Sequence, residues 1–150
     1  MDSVALGRYV LPAMERLSGR LAHLRCAALC TADGFNICSI GISEAQLGKM
    51  AALAGSLLTL GDATLSSLSN DASVKLDLLT LEAGQWITVA VRVVAPGEPL
   101  VLMVSATQTP LGVLHLRARQ TAEEISALLG CSPSSTSTTT SSPTHGAPNS

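Results

Sequence analysis

Residues Leu24–Gln46 read LRCAALCTADGFNICSIGISEAQ. Two apolar runs, Leu24–Thr31 and Asn36–Ile42, flank Asp33-Gly34. Asp-Gly between such runs predicts a β-hairpin, because glycine takes the positive φ that the turn needs. Ser43 follows at once, with Gln46 three residues later. That spacing is a capping box, in which each side chain satisfies a free backbone donor of the first helical turn. The stretch therefore predicts a hairpin that runs straight into a helix.

Both strands of the hairpin are apolar on both faces. Leu24, Cys26, Ala28 and Cys30 should point one way, Ala27 and Leu29 the other. Such strands suit a sheet covered on two sides, or a central place in the sheet. The helix that follows is predicted from Ser43 to about Ser69. Leu47, Met50, Ala51, Ala54, Leu57, Leu58, Leu65 and Leu68 give it a broad apolar face, interspersed with Gly48, Ala52, Gly55, Ser56, Gly61 and Ala63. Gly61-Asp62 could break the helix, or the small residues could admit a second helix. So wide a face exceeds what one sheet needs and points to self-association.

Upstream, Leu6, Val10, Met14, Leu17 and Leu21 recur at helical spacing and predict a helix over Val4–Leu21. Pro12 removes one of its hydrogen bonds and favours an ordered start near that residue. Downstream, Val74–Glu82, Trp86–Val94 and Leu100–Ser105 read as strands, separated by turns at Glu82–Gln85 and Ala95–Pro99. A last helix follows, with Thr109 as cap and Pro110 in its first position. Leu111, Leu114, Ala118, Ile125, Leu128 and Leu129 form its inner face, and Gly130 ends it. Short turns between successive strands make antiparallel neighbours. The predicted fold is α+β: a five-stranded antiparallel sheet with helices on its faces, in the order α-β-β-α-β-β-β-α.

Residues 1–130 form one domain on this reading, and 131–150 a tail. Ser132–Ser150 is almost all Ser, Thr, Pro, Gly and Ala, which predicts disorder. The full chain has 150 residues, 47% of them hydrophobic, and only three aromatics: Tyr9, Phe35 and Trp86. Nine basic and eleven acidic residues give a net charge of −2 with no basic block. Few aromatics and no basic patch argue against a nucleic-acid partner. Met1–Arg20 lacks the pattern of a signal peptide, and the apolar stretches are interrupted short of a membrane span. A cytoplasmic location is the expectation, with Cys26, Cys30, Cys38 and Cys131 as reduced thiols.

Catalytic patterns are not found in the sequence. His23, His115 and His145 stand in no metal-ligand spacing, and no Cys-x-x-Cys occurs. Phosphate-binding glycine loops are missing too. Asp33 belongs to a turn, Glu123-Glu124 should face water, and Arg117 and Arg119 read as solvated helix charges. No cofactor, metal or catalytic residue is expected.

The element order, the hairpin Leu29–Ile37 (LCTADGFNI) and the run Leu111–Arg117 (LGVLHLR) together resemble the Roadblock domain over roughly Val4–Gly130. That family includes dynein light chains, lysosomal scaffold subunits and bacterial regulators of Ras-like small GTPases. The resemblance implies a non-catalytic dimer, joined through the second helix and third strand, that binds and regulates such a GTPase. The implied interface comprises Leu47, Met50, Ala54, Leu57, Leu58, Leu65, Val74, Lys75, Leu76, Asp77 and Leu78. Lys75 and Asp77 could set register across a twofold strand pair, or simply protect an exposed strand edge. The alternatives are a structural adaptor without a GTPase, and a cysteine-dependent enzyme on a profilin-like sheet using Cys30 or Cys38.

Overall fold

The hairpin and the helix after it form, but the second strand stops at Ile40, short of the expected Ile42. The Gln46 side chain accepts from Ser43 Oγ rather than from a backbone donor. The computed structural model describes residues 3–130; the expectations for the tail, Cys131 and His145 lie outside them. Strands β1 (Leu24–Thr31) and β2 (Asn36–Ile40) pair antiparallel, and Gly34 takes φ +100° in the turn. Thr31 holds that turn: its hydroxyl donates to Asp33 Oδ1 at 2.6 Å and accepts from the Phe35 amide at 2.9 Å. Helix α2 (Glu44–Ser69) begins under the Ser43 cap, whose Oγ accepts from the Gln46 amide. It ends at Asn70, which adopts the left-handed conformation at φ 60°.

Helix α1 (Ser3–Arg20) runs through Pro12 without ending. The expected start near Pro12 is corrected. Pro12 is exposed, while Val10, Ala13, Met14, Leu17 and Leu21 are buried. Their packing outweighs the single backbone bond lost.

Strands β3 (Leu78–Ala83), β4 (Trp86–Val93) and β5 (Leu100–Thr107) complete an antiparallel sheet in the order β2-β1-β5-β4-β3. The hairpin thus docks on β5, the last strand, leaving β2 and β3 as edges. Helix α3 (Leu111–Leu128) lies with α1 on one face of the sheet, and α2 lies on the other. Ala27, Leu29, Val89, Val91, Leu102 and Val104 join α1 and α3 in one core. Ala28, Cys30, Ala90, Val101 and Met103 meet α2 in a second, smaller one. Leu24 departs from its expected face and packs with α1 and α3, because an irregularity between Leu24 and Cys26 shifts the alternation.

Three details of α3 differ from expectation. The Thr109 hydroxyl donates to Thr107 O, so it does not cap the helix, and Pro110 is the cap residue. Leu111 is exposed, whereas Leu114, Ala118 and Ile125 are buried as expected. Glu124 does not simply face water: it pairs with Arg16 of α1 and tightens the α1–α3 contact.

The largest correction concerns Val74–Asp77, which form a loop. An internal ion pair takes up the backbone groups that a strand would offer its neighbour. Asp62, in the second half of α2, accepts from the Leu76 amide at 2.6 Å and from Arg92 Nη2 at 2.7 Å to each oxygen. Arg92 Nε donates to Leu76 O at 2.8 Å, and the Arg92 amide donates to Asp77 O at 2.9 Å. Gly61 makes room for this arrangement, since a Cβ there would meet the Leu76 side chain. Gly55 does the same for the hairpin, where a Cβ would overlap Ala32 O. Helix α2 is therefore continuous across Gly61-Asp62, and its two glycines admit the chain's own backbone and side chain.

Partial burial raises the Asp62 pKa, but hydrogen bonds from Arg92 and the Leu76 amide, with the Arg92 and Lys75 charges, outweigh it and hold it below the usual aspartate range. A depressed carboxylate stabilises the fold above its unfolded pKa and loses that effect as pH falls through the folded value. Stability measured by urea titration is expected to drop below about pH 4, near the ordinary aspartate value. Asp62→Ala should cost about 2 kcal/mol at neutral pH, by leaving Arg92 and the Leu76 amide unpaired, and should flatten that acid dependence. Gly55→Ala should cost a similar ~2 kcal/mol through overpacking against rigid backbone, and Gly61→Ala less, because the Leu76 side chain can yield.

Candidate protein-binding surface

Helix α2 uses a narrow face to hold the sheet. Ala51, Ala54, Gly55 and Leu58 are its buried residues, small except for Leu58, and they let the helix lie close on β1. The opposite face is apolar and open. Leu53 is 60% exposed, Leu60 66% and Leu68 79%, while Leu57 between them is half-buried. These residues recur at spacings of four, three and eight, so they form one stripe along the helix. Polar groups on the stripe are few. Lys49 precedes it, Thr64 lies within it, and the Thr64 hydroxyl is turned back onto Leu60 O at 2.8 Å.

The sheet beside the stripe is open as well. Helix α2 crosses the sheet obliquely, from the β2 end of the hairpin at Gly41–Ser43 to Arg92 at the end of β4. It leaves the start of β4 and the end of β3 uncovered. Trp86 there is 48% exposed, with the Arg25 guanidinium 5.4 Å from its ring centre, and Leu81 is also largely exposed. Exposed leucines flanked by a tryptophan and an arginine have the composition of a protein interface.

The structure places the expected interface residues unevenly. Leu57 is half-buried on the stripe; Leu47, Met50 and Leu65 are half-buried where α2 meets the sheet. Ala54, Leu58 and Leu76 are buried in the chain's own second core and are not available to a partner. Val74, Lys75 and Asp77 lie in the loop before β3, so neither strand reading of Lys75 and Asp77 applies; Leu78 begins β3 and packs toward α1 and α3. The reading missed Leu53 and Leu60, the outward residues at i−4 and i+3 from Leu57. The helical period alone could have found them.

By length and composition alone α2 is long and apolar enough to cross a membrane. Asp62 within it is ion-paired to the sheet, and its inner face is anchored there. The helix as folded is the cover of a sheet.

Titratable groups offer little chemistry. Among the described residues, no three His, Cys, Asp or Glu side chains gather as a metal site. His115 Nε2 lies 2.8 Å from Thr80 Oγ1, tying α3 to β3. His23 is exposed. Arg117 bonds Gln120, and Arg119 is exposed. Burial pushes the Cys30 thiol up to about 11, and raises Cys26 and Cys38 as well. Cys30 and Cys38 belong to the cores on opposite faces of the sheet, so they do not share a site.

Solved structures give the fold a name. The Roadblock/LC7 domain from Streptomyces avermitilis matches with TM-score 0.67 at 21% identity, over 79% of this chain and 95% of that one. MglB of Myxococcus xanthus matches with TM-score 0.70 at 18% identity, over 82% and 89%. The gliding protein MglB from Thermus thermophilus matches with TM-score 0.68 at 18% identity, over 84% and 92%. No protein-family model and no curated protein matches the chain. At these identities the likeness is one of fold: the chain adopts the Roadblock fold.

A thiol nucleophile requires thiolate at neutral pH. Alkylation of Cys30 in the folded protein at pH 7.5 should be more than about 100-fold slower than for a free cysteine, and should accelerate on unfolding. Mass spectrometry of quenched samples reads this directly. A fast-reacting Cys30 or Cys38 would revive the cysteine-enzyme alternative.

Proposed function

We propose that this chain, on its Roadblock fold, is a non-catalytic scaffold that pairs with a second copy and presents the paired surface to a Ras-like small GTPase. The observation that carries the reading is the apolar stripe on the outer face of α2. Three leucines more than half exposed on one helix line are costly in water and are stabilised by a partner. The edge strand β3 lies on the same side of the molecule as the open sheet face. Two copies related by a twofold axis could join their β3 edges and their α2 stripes at once, giving ten strands. The fold supports the same reading: a structure described as MglB with a tetrameric arrangement is among those that match, at TM-score 0.69 and 18% identity.

In this reading the scaffold performs no nucleotide chemistry. It acts on the GTPase by binding one nucleotide state more tightly than the other, and by no more than that difference. The location is cytoplasmic, where such a partner resides.

Two measurements test the proposal. Light scattering should show a dimer for the full chain. Leu60→Glu should weaken self-association by about 100-fold, because it places unpaired charges in an apolar contact, while its melting temperature stays near that of the parent. Immobilised protein should then retain a purified Ras-like GTPase from the same genome in one nucleotide state over the other. Equal retention of the GDP and GTP forms would reject regulation, and a dimer that retains neither would favour the structural adaptor.

A further inference from the structure

We infer that the groove at the open end of the α1–α3 pair receives an amphipathic helix of a partner protein, with apolar side chains seated in the groove and a lysine or arginine set against Glu98. The groove lies on the side of the sheet opposite α2, so the inference rests on neither the dimer nor the GTPase.

Helices α1 and α3 are clamped together at one end only. Arg16 and Arg20 of α1 both pair with Glu124 of α3. Toward the start of α1 and the end of α3, a groove of about 500 Å³ opens between them. Buried Ile37 and Leu100 reach its floor; Leu6 and Tyr9 line it from α1, Leu128 and Leu129 from the end of α3. Elsewhere this layer is closed, with Met14, Leu17, Leu114 and Ile125 fully buried. Here Leu6, Leu128 and Leu129 are only half-buried and Tyr9 is 49% exposed. Covering them removes apolar surface from water. Tyr9 also has the residue type that anchors interfaces, an apolar ring with a polar tip.

The groove offers side chains rather than a strand edge. Gly7 lets α1 lie against the β2 backbone, since a Cβ there would come within 2.5 Å of Ile37 O. That contact covers the β2 backbone beside the groove. Recognition by an apolar groove without strand pairing is the mode of an amphipathic helix, read through anchors one turn apart.

Charge selects the partner. Glu98 is the one charged residue of the lining. It is exposed, and among the described residues it has no ion-pair partner. Its turn is held in place: Pro96 and Pro99 flank it, Gly97 takes φ +88°, and Ser126 Oγ of α3 donates to Val94 O at 2.9 Å. Such a carboxylate is presented without further ordering. The last turn of α3 holds no basic residue, so its terminal carbonyls add partial negative charge at the same rim. An apolar floor beneath a negative rim complements a helix whose apolar face is bordered by lysine or arginine.

Methyl NMR of the full chain tests this with a capped helical peptide of alanine and lysine carrying leucines at i, i+3 and i+7. The methyls of Leu6, Leu100, Leu128 and Leu129 should shift and saturate, and the same peptide with glutamate for lysine should leave them unmoved. Glu98→Lys, in an exposed turn, should raise the Kd about tenfold at low salt and less at high salt. Tyr9→Ala should weaken binding about tenfold at either salt. Shifts confined to Leu53, Leu60 and Leu68 of α2 overturn the inference, as do equal binding of the glutamate peptide or an unchanged Kd for Glu98→Lys. Groove methyls that shift when the free chain is diluted assign the groove to a second copy instead. Nuclear Overhauser contacts from these methyls to residues 131–150 in the free chain assign it to that segment.

Discussion

The ion pair of Asp62 and Arg92 is the constraint on which the rest of the molecule depends. It joins the second half of α2 to the end of β4, and both residues also bind the backbone of Leu76. One carboxylate thus fixes a helix, a strand and the loop between them. A charge-assisted hydrogen bond is more directional than apolar packing. It sets where α2 lies on the sheet, which packing among Ala51, Ala54 and Leu58 would leave freer to slide. Gly55 and Gly61 are the steric complement, since each removes a side chain where the helix meets the chain's own atoms.

That placement decides what the surface offers. Because α2 crosses the sheet obliquely, it cannot cover both the hairpin and the start of β4. Trp86 and Leu81 stay open beside it, and the outer leucines face the same solvent. Small residues dominate the buried line of α2, while Leu53, Leu60 and Leu68 face out. An ordinary amphipathic helix has the reverse arrangement, with its bulk turned inward. That exposed apolar line is why the helix is apolar enough by composition to cross a membrane while acting as the cover of a sheet. It is also the physical basis for a scaffold reading. Exposed apolar surface is abundant, whereas the Cys30 thiol is buried and pushed toward the neutral form.

Much of the fold was legible in local chemistry. The Asp33-Gly34 turn, the Ser43 cap and the period of α1 involve residues within a few positions of one another, so the sequence displays them together. The site was less legible. The excess apolar surface of α2 could be seen, but Ala54 and Leu58 were placed on the wrong side of it, and Leu53 and Leu60 were overlooked. Composition cannot say which arc of a helix meets the sheet when almost the whole circumference is apolar. Val74–Asp77 misled for a related reason. Their alternation of apolar and charged residues is that of a strand, yet the partners that convert them into a loop lie 14 and 16 residues away, in Asp62 and Arg92.

By itself, then, the sequence determined the number, order and type of the elements and the short turns that make neighbouring strands antiparallel. These depend on contacts within a turn or a hairpin, whose residues are adjacent in the chain. Tertiary structure alone decided that the hairpin docks on β5, that β3 becomes an edge, and which line of α2 faces water. Those outcomes depend on groups distant in sequence competing for the same space and the same hydrogen bonds, and only the folded chain brings them together.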